Sequence, residues 1–285
     1  MIITNKNNLP QVLIDSIEEN HIPVEKHYSV TTLLNPIREI LLIRRHYNEI
    51  KQDISDMVWL IFGSAVHKLI EDADKTGFAE YKLENLVIDD YYLTGICDLY
   101  DEANFTIVDW KTASVWKIIH KDFESWRKQG LMYAWLLRKR GYHTKKLKFH
   151  AFLKDWSSVD AKYKADYPKY PIYVWEYEVT EGDMLEIQSF IETQFKLIIA
   201  CEKLKDDELP ICSPEERYNS GDKYAVMKHG RKSAIRVCDS KEEASALITS
   251  SDMYIEVRLG EDRKCNDYCI CKEFCSYWKS KNKEE

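Results

Sequence analysis

Apolar residues recur at helical spacing between residues 56 and 73. The recurring residues are Val58, Phe62, Ala65, Val66, Leu69 and Ile70. Positions three and four apart share one face of a helix, so this segment is predicted to be helical, with Ser55 or Asp56 as its N-cap. The same spacing places Gly63, His67 and Glu71 on one face of the helix.

Later segments alternate apolar and polar residues, which indicates strands. Strands are predicted at about residues 85–88, 92–100, 105–111, 147–153 and 172–179. A helix predicted at residues 122–139 carries Trp126, Gln129, Tyr133 and Leu137 along one side. Thr180 and Asp183 resemble a capping box that opens a helix reaching about residue 204. This order of helices and strands predicts an α/β fold with a mixed core.

Three regions are expected along the chain. Residues 1–55 are predicted to be an N-terminal helical region, in which Pro36 makes one continuous helix from 31 to 47 less favourable. The α/β core is expected at residues 56–205. Residues 206–285 begin with many turn-forming and charged residues, and they are expected to form an appended C-terminal module.

Three charged residues lie on one face of a predicted hairpin at residues 97–111. If residues 101–104 form the turn, Asp98 faces Ile107 and becomes a diagonal neighbour of Asp109. Lys111 then lies two residues further along the same face. Two carboxylates this close repel each other unless a divalent cation such as Mg²⁺ or Mn²⁺ lies between them. A cation, a bound water and a lysine ammonium can together cleave a phosphodiester.

Each of these residues taken alone also has a simpler interpretation. Charged residues usually lie on solvated faces, so Asp98, Asp109 and Lys111 could mark exposed strand positions. A single histidine such as His67 is more often a satisfied polar residue than a ligand, although imidazole can bind a metal at the edge of a carboxylate site. Glu71 is an additional carboxylate whose role the sequence leaves open. The combination of these residues favours the metal site.

Four short motifs follow one another in this part of the chain. They are Gly63-Ser64-Ala65-Val66-His67, Gly95-Ile96-Cys97-Asp98, Asp109-Trp110-Lys111-Thr112 and Gln129-Gly130-Leu131-Met132-Tyr133. In this order they resemble the GxxxH, GxxD, DxKT and QxxxY motifs of the RecB-type branch of the PD-(D/E)XK nuclease superfamily. That branch includes phage recombination exonucleases and CRISPR-associated RecB-like nucleases.

The resemblance implies a restriction-endonuclease-like core, a mixed central sheet flanked by helices. It also implies metal ligation by His67, Asp98, Asp109 and the carbonyl of Trp110, with Lys111 at the water and scissile phosphate. The remaining implied site residues, which would face DNA, are Gln129 and Tyr133. Asp109 stands where many relatives carry glutamate.

The C-terminal cysteines also resemble this family. Cys265, Cys269 and Cys275 have C-x3-C-x5-C spacing, close to the C-x2-C-x5-C ending of iron-sulfur relatives. Cys212 is the fourth ligand that we favour, because it begins the same module. The set is expected to hold a [4Fe-4S] cluster, with zinc and unliganded reduced cysteines as the alternatives. Cys271 would then be a spare thiol.

Charge and hydropathy limit the partners and the location. The chain has 48 acidic and 41 basic residues and a net charge of -7, which argues against indiscriminate coating of nucleic acid but permits a local basic groove. Phosphate contacts are expected from Arg138, Lys139, Lys145, Lys146 and the stretch from Lys228 to Arg236, although each run could instead be solvated surface. No apolar run is long enough for a bilayer and the first residues do not resemble a signal peptide, so a cytoplasmic protein without a membrane partner is expected.

The sequence therefore predicts a Mg²⁺- or Mn²⁺-dependent deoxyribonuclease, with DNA as its partner. The resemblance favours an exonuclease of phage or bacterial DNA recombination and repair, working beside a single-strand annealing or recombination protein. Two alternatives remain open: an endonuclease, and a catalytically inactive DNA-binding or scaffold protein of the same fold. Polarity, strand preference and oligomeric state also remain open. The chain lacks the GxxxxGK[ST] signature of an ATPase.

Overall fold

The alternating segments of the sequence form a mixed sheet, and segments with helical spacing pack against it. The computed structural model describes residues 1–17, 22–73 and 79–282, in two units, Met1–Lys205 and Asp206–Glu285. In chain order the helices and strands of the first unit are β1 (Ile2–Thr4), α1 (Gln11–Asp15), β2 (His27–Ser29), α2 (Val30–Leu33), α3 (Ile37–Arg45), β3 (Lys51–Asp53), α4 (Val58–Ala73), β4 (Ala79–Ile88), β5 (Tyr91–Asp101), β6 (Thr106–Ala113), α5 (Val115–Ile119), α6 (Glu124–Lys139), β7 (Lys146–Leu153), α7 (Ser158–Tyr163), β8 (Ile172–Glu178) and α8 (Glu181–Glu202). A 3-10 turn at Ile54–Met57 leads into α4.

The central sheet has six strands in the order β2-β5-β6-β7-β8, with β4 paired to the other edge of β5. β2 runs parallel to β5 and β6 runs parallel to β7, whereas the β4–β5, β5–β6 and β7–β8 pairs are antiparallel. The predicted mixed α/β core is therefore present.

One edge of β5 is shared by two different strands. β2 pairs with β5 as far as Thr94, and β6 pairs with it only from Leu99 onward. Residues 95–98 lie between these two partners and have no strand pairing with either of them. The gap opens the sheet at Asp98, the first acidic residue singled out from the sequence.

The core lies between the sheet and helices α6 and α8. Residues 129–137 of α6 are all buried, and Trp126 stacks on Phe149 of β7 with ring centres 5.6 Å apart. The predicted capping box is confirmed, because Thr180 accepts a hydrogen bond from the Asp183 backbone and Asp183 accepts one from Thr180. The buried face of α6 therefore packs beneath the strands that carry the charged residues.

The structure differs from the sequence expectations in two local respects. Pro36 divides the segment expected to be one helix into α2 and α3, because proline cannot continue the hydrogen-bond ladder. The region before residue 56 is also not purely helical, since β2 joins the central sheet.

The second unit contains a small antiparallel sheet. Its elements are β9 (Lys223–Lys228), β10 (Arg236–Cys238), α9 (Lys241–Ala246), β11 (Met253–Arg258), a π-helical turn (Lys264–Tyr268), a 3-10 turn (Lys272–Phe274) and α10 (Ser276–Lys281). The strand order is β10-β9-β11, and α9 packs on the sheet through Ala244 against Val226 and Cys238. Among the described residues of the whole chain, none of the helices has the length and apolar character needed to cross a membrane.

Candidate metal centre

The β5–β6 hairpin brings Asp98 and Asp109 to opposite positions. The paired residues are Tyr100 with Ile107 and Leu99 with Val108, and continuing this register places Asp98 across from Asp109. The predicted register, with Asp98 facing Ile107, is therefore wrong by two residues on β6. The turn has the predicted four residues but lies one residue further along the chain, at 102–105, and its last residue, Phe105, adopts a left-handed backbone conformation with φ of 54°.

Asp98 is buried where the two strands separate. One carboxylate oxygen accepts a hydrogen bond of 2.8 Å from the Trp110 backbone N–H, which replaces the missing strand partner. Burial, together with the nearby Asp109, raises the pKa of Asp98 to about 7. The side chain is therefore held in an environment that disfavours its charge.

Asp109 is the most buried acidic group of the site, with 1% of its surface exposed. The Lys111 ammonium lies 2.5 Å from Oδ1 in a close ion pair, and Oδ2 accepts no hydrogen bond from the residues that the structure describes. Burial raises the pKa of Asp109, while Lys111 lowers it. A buried carboxylate with free lone pairs fits an oxygen ligand for a hard divalent cation.

His67 reaches this point from α4. A Cβ on Gly63 would lie 3.7 Å from Thr112 Oγ1, so the helix runs close to the end of β6. One turn later, His67 Nδ1 lies 3.4 Å from Asp98 Oδ2 and 3.6 Å from Glu80 Oε1. Glu80 is the main cause of a raised pKa of His67, against the opposing effect of burial.

Glu80 is a site residue that the sequence reasoning missed. His67, Glu80 and Asp98 each place one possible ligand atom within 4.8 Å of the others. Glu80 adopts a left-handed backbone conformation with φ of 50°, which is uncommon for a residue with a side chain and is often found at functional positions. The other extra carboxylate, Glu71, instead accepts a hydrogen bond of 3.1 Å from Lys68 on the surface of α4.

Trp110 contributes its backbone to the gap. Its N–H points to Asp98, and in an extended strand the N–H and C=O of one residue point to the same edge. The Trp110 carbonyl therefore faces the opening as well. The indole ring packs on His150 of β7, with ring centres 4.7 Å apart.

Gln129 and Tyr133 lie beneath the site rather than on its surface. Both are buried, with 6% and 4% exposed, and Gln129 Nε2 donates a 3.3 Å hydrogen bond to Tyr133 Oη. The Tyr133 ring fills the space beside Gly95, where a Cβ would be 2.7 Å from Cε1. The expectation that these side chains face DNA is corrected, because the helical face that carries them packs against the sheet.

The predicted basic runs are largely paired with acidic residues. The ion pairs are Arg138 with Glu181, Lys146 and Lys148 with Glu176, Lys228 with Asp252, and Arg236 with Glu243. The ammonium groups of Lys139 and Lys145 lie over the rings of Trp135 and Phe105. Local acids therefore reduce the positive charge that these runs present to a nucleic acid.

The C-terminal cysteines gather within the second unit without disulfides. Cys269 Sγ and Cys271 Sγ are 3.5 Å apart, and both Cys271 and Cys275 are buried. Burial raises the pKa of the Cys265 thiol to about 11, and Cys269 and Cys275 are among the neighbours that add to the shift. The Cys212 carbonyl accepts a hydrogen bond from Arg217, which also forms an ion pair with Asp262, three residues before Cys265.

Comparison with known proteins gives only distant similarities. No protein-family model matches the chain, and no curated protein matches its sequence. The similar solved structures include a protein named SSO0001, with 18% identity and a TM-score of 0.47 over 66% of this chain and 84% of that chain. A phage-related exonuclease from Haemophilus somnus 129PT has 14% identity and a TM-score of 0.35 over 57% of this chain and 81% of that chain. LHK-Exo in complex with dAMP has 12% identity and a TM-score of 0.39 over 61% of this chain and 89% of that chain. Similarity this low does not assign a function.

Proposed function

We propose that this chain is a metal-dependent nuclease that hydrolyses phosphodiester bonds in DNA, acting as an exonuclease in recombination or repair. The observation that carries the proposal is the buried Asp109 carboxylate, whose Oδ2 has no hydrogen bond from the described residues and which lies beside Lys111, close enough to shift the pKa values of His67 and Asp98. A structural acid this deeply buried would be expected to have hydrogen-bond partners. A site for a hard cation explains why its lone pairs remain free.

The donor set fits Mg²⁺ or Mn²⁺. Asp98, Asp109, Glu80 and the Trp110 carbonyl supply oxygens, and His67 supplies an imidazole nitrogen, a combination that suits manganese as well as magnesium. When bound, the ion lowers the pKa of a water molecule and polarises the phosphoryl group. Several acidic donors also make the site selective for a cation over any neutral ligand.

Lys111 is the group that meets the substrate. Its side chain is 21% exposed, and its ammonium is held next to Asp109, so it can approach a phosphate while its position remains fixed. From there it donates to the attacking water or to the phosphate oxygens and stabilises the charge that develops during attack. Asp109 therefore has two roles, as a metal ligand and as the anchor of Lys111.

The cleavage assay uses labelled linear and circular DNA with Mg²⁺ or with EDTA. An exonuclease degrades only the linear DNA and requires the metal, whereas an endonuclease also opens the circle. Lys111→Ala should slow cleavage by on the order of 100-fold or more. Lys148→Ala is the matched control, because Lys148 lies on the neighbouring β7 and pairs with Glu176. Metal-dependent cleavage by Lys111→Ala at the wild-type rate would refute the role of this lysine.

We further propose that Cys212, Cys265, Cys269 and Cys275 hold a [4Fe-4S] cluster. The proposal is supported by four thiols in one unit, of which Cys269 and Cys275 lie close enough to Cys265 to raise its pKa. Protein purified without oxygen should be brown, and Cys265→Ser should bleach it while Cys271→Ser retains the colour. Colourless protein with stoichiometric zinc would replace the cluster by a zinc site, and metal-free thiols that all react with an alkylating agent would exclude both.

A further inference from the structure

Large aromatic side chains are exposed beside the candidate metal centre. Trp59 and Phe62 on α4 are 50% and 45% exposed, and Trp116 on α5 is 58% exposed. Single exposed apolar residues are common, but neighbouring ones on a soluble protein usually mark a binding surface. We refer to Trp59, Phe62, Trp116 and Lys154 as the aromatic patch.

The α4 part of the patch consists of two aromatic rings and one cation, the Lys154 ammonium, which contacts the Trp59 ring. The Trp59 and Phe62 rings meet edge to face with centres 6.2 Å apart. The Lys154 ammonium lies 4.5 Å from the centre of the Trp59 ring, within the range of a cation–π contact. This arrangement combines flat apolar surface with a positive charge.

The α5 part is fixed to the same end of the sheet. The Lys154 backbone N–H donates to the Ala113 carbonyl at 3.0 Å, and Asp155 accepts hydrogen bonds from Ser114 Oγ at 2.6 Å and the Val115 N–H at 2.7 Å. Lys154 and the start of α5 are therefore locked together. Trp116, in the first turn of α5, stacks on His120 with ring centres 5.7 Å apart.

The patch continues the metal centre along β6. Lys111 is followed by Thr112, which lies under Gly63 of α4, and then by Ala113, which holds Lys154. On α4, His67 lies one turn after Gly63, and Trp59 lies one turn before Gly63. His67, Trp59 and Phe62 therefore lie along one helix, and Trp116 follows the strand of Lys111 at the start of α5.

We propose that the aromatic patch binds the unpaired bases of a DNA single strand whose backbone passes through the metal centre. This inference rests on the proposed nuclease function and specifies its substrate. Bases stack on aromatic faces regardless of sequence, and cations between the rings attract the phosphates, which is the combination that binds single strands. In a duplex the base faces are covered by their neighbours, so exposed ring faces have little to contact there.

The test measures binding of a labelled single-stranded oligonucleotide to the full chain, with Ca²⁺ in place of Mg²⁺ to avoid cleavage. Trp59→Ala and Trp116→Ala should each weaken binding by about 5- to 150-fold, the range typical for loss of one stacking partner. Lys154→Ala should lower the salt dependence by about 0.7 in the log–log slope. All three side chains lie at the surface, and thermal denaturation verifies that each variant is folded.

A matched control exists at the other end of β6. Phe105 is 36% exposed, and the Lys145 ammonium lies 4.6 Å from its ring centre, so Phe105→Ala removes a similar cation–π pair away from the patch. We expect this variant to bind the single strand as the wild type does. If it weakened binding as much as Trp59→Ala, the patch would have no special role and the inference would be wrong.

Further outcomes separate the two proposals. If both tryptophan variants bind the single strand with wild-type affinity, the inference is overturned even if the protein cleaves DNA. It is also overturned if the variants lose as much affinity for blunt duplex DNA as for the single strand. Loss confined to single strands supports the inference. Patch-dependent binding by a protein that never cleaves DNA would instead refute the nuclease function and leave the binding surface in place.

Discussion

The buried carboxylates predict that Mg²⁺ stabilises this protein and that Asp109→Asn abolishes the effect. Asp98 and Asp109 occupy opposite strand positions and are 9% and 1% exposed, and Asp109 raises the pKa of Asp98. A divalent cation between them offsets this repulsion. The ion binds only the folded state, because the unfolded chain does not hold the ligands together.

The structure limits the size of the effect. The pKa of Asp98 rises from 3.8 to about 7. At 1.36 kcal/mol for each pKa unit, a shift of about three units corresponds to roughly 4 kcal/mol, which is the upper limit of the strain that an ion can relieve at Asp98. For a dissociation constant of about 0.1–1 mM, mass action at about 10 mM Mg²⁺ gives about 1.4–2.7 kcal/mol. In a unit of this size that shifts the melting temperature by roughly 3–10 °C.

The assay is thermal denaturation in EDTA and in Mg²⁺ at constant ionic strength. Asp109→Asn keeps the shape of the side chain but removes its charge, so its melting temperature should be the same in both buffers. Asp72→Asn is the control, because Asp72 is exposed on α4 and pairs with Lys68, and this variant should retain the full shift. An Asp109→Asn protein that Mg²⁺ stabilises as much as the wild type would refute the reasoning.

Two further predictions follow from neighbouring residues. Glu80→Gln should weaken Mn²⁺ binding by about 10-fold or more, measured by calorimetric titration, whereas Glu71→Gln should leave it unchanged; the reverse pattern would contradict the assigned ligand set. Gly95→Ala should lower the free energy of unfolding, measured by denaturant titration, by about 1–3 kcal/mol, because its Cβ would collide with the buried Tyr133 ring. Gly182→Ala should lower it less, because its Cβ would lie at an ordinary distance of 3.5 Å from Thr180 Oγ1.

Local sequence patterns predicted the charged strand face but not its register. Alternation alone places Asp109 and Lys111 on one side of a strand, and the structure has them there. The register depends on the turn, which has the predicted four residues but lies one residue further along the chain, where Phe105 adopts a left-handed conformation that no turn motif in the sequence indicated. This displacement moved Asp98 from a diagonal position to one opposite Asp109.

The missing ligand and the buried motif have other causes. Glu80 belongs to no recognisable spacing, and it joins His67 only through the pairing of β4 with β5. Gln129 and Tyr133 were expected at the surface because the resemblance suggested contact with DNA. Their spacing of four residues is equally that of a helix face packed on a sheet, and that packing is what the structure has.

Charge was the least predictable feature. The basic runs are conspicuous in the sequence, yet their acidic partners are distant in the chain; Lys146, for example, pairs with Glu176 of the neighbouring strand. The exposed aromatic residues of α4 resembled ordinary helical core positions. Only the absence of a covering element over them, within the residues that the structure describes, distinguishes a binding surface from a core.

Cleavage of labelled linear DNA by Asp109→Asn, measured together with its DNA binding, tests the central claim most directly. The account predicts that this variant folds, binds DNA in Ca²⁺ with near wild-type affinity, and cleaves it in Mg²⁺ at least about 100-fold more slowly than the wild type. Cleavage by the folded variant at a rate close to that of the wild type, with the same dependence on Mg²⁺, would contradict the account.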